Sequence, residues 1–460
     1  MNLTPRTVPL TQREAFHLLR RATFHPTWAA MQSLVGKTPQ QAVDTLLLLD
    51  PSIPLPPWAN DQPTGSNAQA AKLWGELQTW WLGHCLKESS FRERLVAMWH
   101  NHFTSDYITV YWSQWMVKQS EFLRANRYDF RALGEGIVGD PAMLIYLNGN
   151  QSIKGNPNEN FGREWFELFS LGIGNYTEHD IVEASRAYTG WRVTGLNSSY
   201  TRQLADLGEK TILGQTGNWE YKDVIRITLE QDACAKHIAR RILRTFVEYY
   251  PTDDTVQSVA NLIVEHSYNL EPVFKTLFTS EGFYDSALHG ALIKDPMALT
   301  LGLSAIASMQ QVDPAYIVAT MAALTMIPFY PPTVQGWLGH HNWITSSTFP
   351  QRQRFAEAFM DGRQTASAVS LMTADGTPIK PDLVALVKQF SGYDDAAAVV
   401  SNMCLLLLPV ATSAEQESVL LEIMMAGVDA KYWDIESGTA LSRIKLLVQA
   451  IVRMPEFQLN

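Results

Sequence analysis

Glu164 and Glu167 stand three residues apart, with Arg163 beside the first of them and Asn160 one turn earlier. On a helix that spacing puts both carboxylates on one face. Two chemistries follow. The pair could bind one divalent metal ion, as inward-facing carboxylates do in helical bundles, or one carboxylate could act as a general base positioned by Arg163. Against both stands a solvated helix face on which Arg163 and Glu167 pair at i,i+4, worth roughly 0.2–0.5 kcal/mol. The aromatic residues around most of this stretch argue that both of its faces are partly covered.

His100 and His102, in the run MWHNHF at 98–103, are the other candidate ligands. If a helix from Phe91 continues through Phe103, the two rings point about 200° apart and cannot share an ion. Thr104-Ser105-Asp106 suggests a stop nearby. Unwinding at His102 would free both rings, or let either reach Glu164. The expectations are thus a metal site shared by His100, His102 and Glu164, or a buried His102 hydrogen-bonded to a carboxylate or a carbonyl. The adjacent His340-His341, in a loop, rank lower, and Cys85, Cys234 and Cys404 lack metal spacing and read as buried thiols.

The elements that hold these residues are helical. Pro157-Asn158 starts a helix over 158–171, with Asn158 as N-cap and Glu159 in the first turn, where its charge suits the helix dipole. Phe161, Trp165, Phe166, Leu168 and Phe169 share its apolar face, opposite Asn160, Arg163, Glu164 and Glu167, and Gly172 ends it. Thr177 and Asp180 form a capping box for a helix over 178–189. There Ile181, Val182, Ser185 and Tyr188 face inward, and His179, Glu183 and Arg186 cluster outward. Asn158, Asn160, Asp180, Glu183 and Arg186 are expected to form a polar network between the two helices.

Further helices are predicted near 12–22, 39–48, 68–87, 90–104, 111–125, 234–249, 255–266, 295–309, 351–360, 381–391, 395–408, 413–426 and 440–453, the last facing the core. Strand signals are confined to a small ribbon within Trp191–Gly214. Pro51–Asn67 and Pro328–Trp343 read as loops, and the polar stretch 361–380 as a loop or linker before a C-terminal helical part. The expected fold is mainly α: one large helical domain over 1–460 with a β-ribbon insertion.

Composition narrows the function. The chain of 460 residues is 46% hydrophobic and 18% charged, with 14 Trp, which suits a large core. The net charge of -10 is spread along it without a basic stripe, which argues against nucleic-acid binding. No apolar run is long enough to span a bilayer. Met1–Leu10 lacks a charged region followed by an apolar one, so the expected compartment is the cytoplasm, with loss of a leader or export attached to a partner as alternatives. There is no GxSxG elbow, phosphate loop or HExxH helix, and Gly172-Ile-Gly174 lies between helices rather than after a strand.

Residues 140–191 carry DPAML, PNENF-x-RE, ELF-x-LG-x-G-x-YTE-x-D and A-x-TGW in order. LTQREAFHLLRRATF at 10–24, MWHNHF, GEKT-x-LGQTGN at 208–218, PP-x-V-x-GW at 331–337 and MPEFQ at 454–458 extend the series. This resembles a family of uncharacterised bacterial proteins, domain of unknown function family 1800, over nearly the whole chain. The resemblance implies a predominantly helical fold of unknown activity, and a partner of family 1501, similar to sulfatases and alkaline phosphatases. It makes His179 a variable position. Where relatives read His-Asp before the G-x-KT stretch, this chain has Ala205-Asp206, which puts any chemistry of that histidine in doubt here. Two functions follow: a metal-assisted hydrolytic or oxidative enzyme centred on Glu164, or a non-catalytic accessory or scaffold protein for the hydrolase-like partner.

Overall fold

Asp-Pro pairs open three of the helices. Asp140, Asp295 and Asp313 each cap the chain just before Pro141, Pro296 and Pro314, where the missing N–H costs nothing. The computed structural model describes residues 1–48, 53–88, 90–365 and 367–460. Among these are 22 α-helices and three two-stranded antiparallel sheets, so the fold is mainly α as expected. The capping boxes of Thr11 with Glu14 and Thr177 with Asp180 form as predicted. Helices at Trp28–Leu34, Phe130–Ile137, Tyr221–Leu229, Leu270–Thr279 and Pro314–Ala323 were not expected.

One contiguous cluster of buried apolar side chains runs from Leu10 to Phe457. Trp28, Trp81, Trp99 and Trp165 are its largest fully buried members. The helix Ala440–Arg453 turns Ile444, Leu447, Val448 and Ile451 into it, as predicted. Inside the cluster one carboxylate is fully partnered: Glu93 receives Arg124 Nε and Nη2 at 2.9 and 3.0 Å, Arg92 Nε at 3.0 Å and Trp81 Nε1 at 2.9 Å. Burial pushes the Glu93 carboxyl up, but the Arg124 and Trp81 donors and the charge of Arg92 outweigh it and hold the group below the usual range. The three cysteines are free and buried, as expected.

The predicted ribbon is two hairpins, Trp191–Thr194 with Asn197–Tyr200 and Lys210–Ile212 with Gln215–Gly217. A third, Leu371–Met372 with Pro378–Ile379, falls in the stretch read as a linker. That stretch is tied down by a bridge from Thr373 to Val312 and by the fully buried Leu371. Ala366 within it, and the start of the proline-rich loop at Pro51–Ser52, lie outside the described residues.

The signature helix departs most from expectation. It is α-helical only over Asn160–Glu164 and continues as a π-helix over Trp165–Ser170. Gly172, with φ of +79°, ends it by donating its N–H to Phe166 O. The wider turn lets Trp165, Phe166 and Phe169 all be fully buried while Leu168 stays half-buried. No helix among the described residues is long and apolar enough to cross a membrane.

Candidate functional site

Arg163 does not pair with Glu167. Its guanidinium takes both oxygens of Glu178 at 2.9 Å and reaches Glu159 at 3.4 Å. The tight turn at Gly172–Gly174 and the capped start at Thr177 carry Glu178 back over the first helix, so a partner fifteen residues away wins over the one four residues away. Glu167 instead accepts from the Tyr176 hydroxyl at 3.2 Å. Glu164 is half-buried and has neither a hydrogen bond nor an ion pair among the described residues. Burial, and then the charge of Glu167, push its carboxyl up against the opposing pull of Arg163. Tyr146 lies near enough for the charges of Asp106 and Glu164 to add to burial in raising its phenol to about 12.

Asn158 and Asn160 serve the helix start. Asn158 Oδ1 accepts the Asn160 N–H at 2.9 Å, and the helix begins two residues later than expected. The Asn160 amide reaches Leu147 O at 3.4 Å. Neither asparagine joins the second helix, so the predicted network divides here.

Its other half is closed and structural. Asp180 accepts Thr177 N and Oγ1 through one oxygen and Leu213 N at 2.7 Å through the other. Glu183 accepts Arg186 Nη1 at 2.8 Å and Thr211 N at 3.0 Å. Arg186 also binds Asp206 at 2.9 Å and Glu209 O at 3.1 Å. Glu183 was expected to face outward, but the hairpin 210–217 covers that side and buries it, and Val182, expected inside, is exposed. Sequence reasoning missed Lys210, whose fully buried ammonium donates to Asp206 O at 2.6 Å and Gly208 O at 2.8 Å. Burial lowers its pKa while Asp206 resists that shift. Ala205 packs against Gly190, whose φ of +102° and missing Cβ make room for it, so this position is a packing position in this chain.

His100, His102 and Glu164 do not converge. His102 is buried and its Nε2–H donates to Phe169 O at 3.0 Å, the carbonyl alternative. Burial, with the charges of Arg241 and His237, holds it neutral. His237, which no spacing singled out, donates likewise to Leu168 O at 2.9 Å. Both carbonyls belong to the π-helix, whose own bonding leaves its last carbonyls open. His100 sits among Trp81, Phe329 and Trp337, and burial lowers it to about 4. Among the described residues no three His, Cys, Asp or Glu side chains are placed to hold a metal ion, so the expected site of His100, His102 and Glu164 is not formed. His179 is exposed, and His340 stacks on Tyr249 with ring centres 4.4 Å apart.

No curated protein and no solved structure matches this chain. A family described as protein of unknown function, DUF1800, matches residues 17–459, which takes in the signature helix, both carbonyl-capping histidines and the Arg186 network. The chain belongs to the DUF1800 family.

Proposed function

We propose that the protein is a non-catalytic accessory or scaffold protein that binds a hydrolase-like partner, similar to sulfatases and alkaline phosphatases, of family 1501. One observation carries this reading: apart from Glu164, the charged side chains singled out in the signature segment are held by partners within the chain. Arg163, Asp180, Glu183 and Arg186 are each bound to a neighbouring element, and catalytic groups need free valence toward a substrate. A partner also needs a face. The helices Ala414–Met425 and Ala440–Arg453 leave an open groove of about 400 Å³, with Val419 and Ile423 exposed on it. Co-expression with a hydrolase-like protein of family 1501 from the same genome, followed by affinity capture and gel filtration, tests the reading. A stable complex lost in Val419→Asp/Ile423→Asp supports it, and no complex with the wild type defeats it.

A second reading, an enzyme that uses Glu164 with Glu167 in metal-assisted hydrolysis or oxidation, is favoured by the unpartnered Glu164 carboxylate. Protein purified without chelators should then carry stoichiometric divalent metal, and Glu164→Gln should lose it. Metal-free wild type defeats that reading.

A further inference from the structure

Between the helices Phe91–His100 and Asp232–Phe246 and the loop after Met326 lies a cavity of about 250 Å³. Arg94, Arg241 and Arg244 line it, with one acidic side chain, Asp295, and the last residue, Asn460, also in the wall. The Asp295 carboxylate is already committed. It receives Arg94 Nη1 at 3.1 Å and caps its own helix through Ala298 N at 2.7 Å. Arg241 and Arg244 have no carboxylate within ion-pair distance among the described residues. Arg241 makes one long hydrogen bond, from Nη2 to Met98 O at 3.5 Å, and its Nε is buried with no partner. The Nε of Arg94 is buried and unpartnered too.

Arg244 is exposed and Arg241 partly buried, but a guanidinium cannot escape its charge by losing a proton at neutral pH, so leaving a buried Nε donor empty is costly. Burial lowers Arg241 only to about 10, with Arg244 adding to the effect. Planar N–H forks match the paired oxygens of carboxylate, phosphate and sulfate groups. The rest of the wall mixes apolar and aromatic residues, Met98, Met326 and Trp337 among them, with the polar Asn101, Thr245, Gln335 and His340. A few charged groups set among apolar side chains is the pattern of a small-molecule site, and the volume lies just below the usual range that starts at about 300 Å³.

We propose that this cavity binds a small oxyanion-bearing molecule, with its anionic group on Arg241, Arg94 and Arg244 and its apolar part against Met98, Met326 and Trp337. The proposal does not rest on the accessory reading above.

Titration calorimetry on the full chain, at matched ionic strength, would use inorganic phosphate, phenyl phosphate and benzoate as probes. The expected result is saturable binding of at least one probe at micromolar to millimolar concentration, with phenyl phosphate about tenfold or more tighter than inorganic phosphate. Preference between phenyl phosphate and benzoate identifies the anionic group. Arg241→Gln should weaken binding about tenfold or more, whereas Arg240→Gln, on the exposed side in its pair with Asp253, should leave it unchanged. Met326→Trp keeps every arginine and fills the cavity, so it should abolish phenyl phosphate binding even if Arg241→Gln folds poorly. No saturable binding of any probe, or binding indifferent to Met326→Trp, overturns the proposal.

Discussion

Burial and the neighbouring Glu167 act on Glu164 in the same direction, and Arg163, the cation beside it in sequence, is drawn away by Glu178. A carboxyl whose folded pKa is raised is a net cost to the fold while it is ionised. That cost is present above the folded pKa and fades as pH falls through it, toward the ordinary value of 4.5. Glu164→Gln should therefore stabilise the protein at neutral pH, by no more than about 0.5 kcal/mol because solvent screens a half-buried site. Urea unfolding across pH should show the gain shrinking to nothing in acid. The opposite holds for Glu93, whose side chain is 1% exposed and carries two arginines. Glu93→Ala should cost about 3–5 kcal/mol because it takes the buried carboxylate away from both guanidinium groups and from the Trp81 indole, and denaturant titration would measure the loss. At this scale the sequence showed which groups were unusual and not whom they would meet. Spacing on one helix offered Glu167 to Arg163; the actual partner arrives through a turn and a cap that bring a second helix alongside.

Local signals placed most elements well, because a cap or an Asp-Pro pair acts within a few residues. Thr11, Asn158 and Thr177 all satisfy N–H groups at helix starts. The π-helix had no such signal. Its register rests on the simultaneous burial of Trp165, Phe166 and Phe169 and on donors from other elements, and apolar periodicity cannot tell this from an ordinary turn. The hairpin 371–379 was missed for a related reason, since its two-residue strands are held by the bridge to Val312 rather than by their own composition. His102 and His237 fasten the end of the π-helix, so losing one leaves a carbonyl unsatisfied. His237→Leu should then destabilise the protein by about 1–3 kcal/mol, seen as a lower urea midpoint. A loss well below that range would mean the carbonyl finds another donor.

Over the whole molecule, the cysteines are spaced so that each reports on a different part of one continuous core. Cys85 closes the helix Asn67–Cys85, Cys234 opens Asp232–Phe246, and Cys404 lies in Ala396–Leu407. Burial raises the thiol of Cys234 to about 12, and that of Cys404 to the same value with help from Glu417. Since the thiolate is the reactive form, all three should be silent toward alkylating reagents while the fold is closed. Their labelling rates then become clocks for local opening. If the core opens as a unit, the three should label at one common rate at every denaturant concentration, read by mass spectrometry of the peptides. Should Cys404 label ahead of Cys85 and Cys234, the part of the chain beyond 361–380 opens separately, and the protein comes apart in two steps that a single melting curve would blur into one.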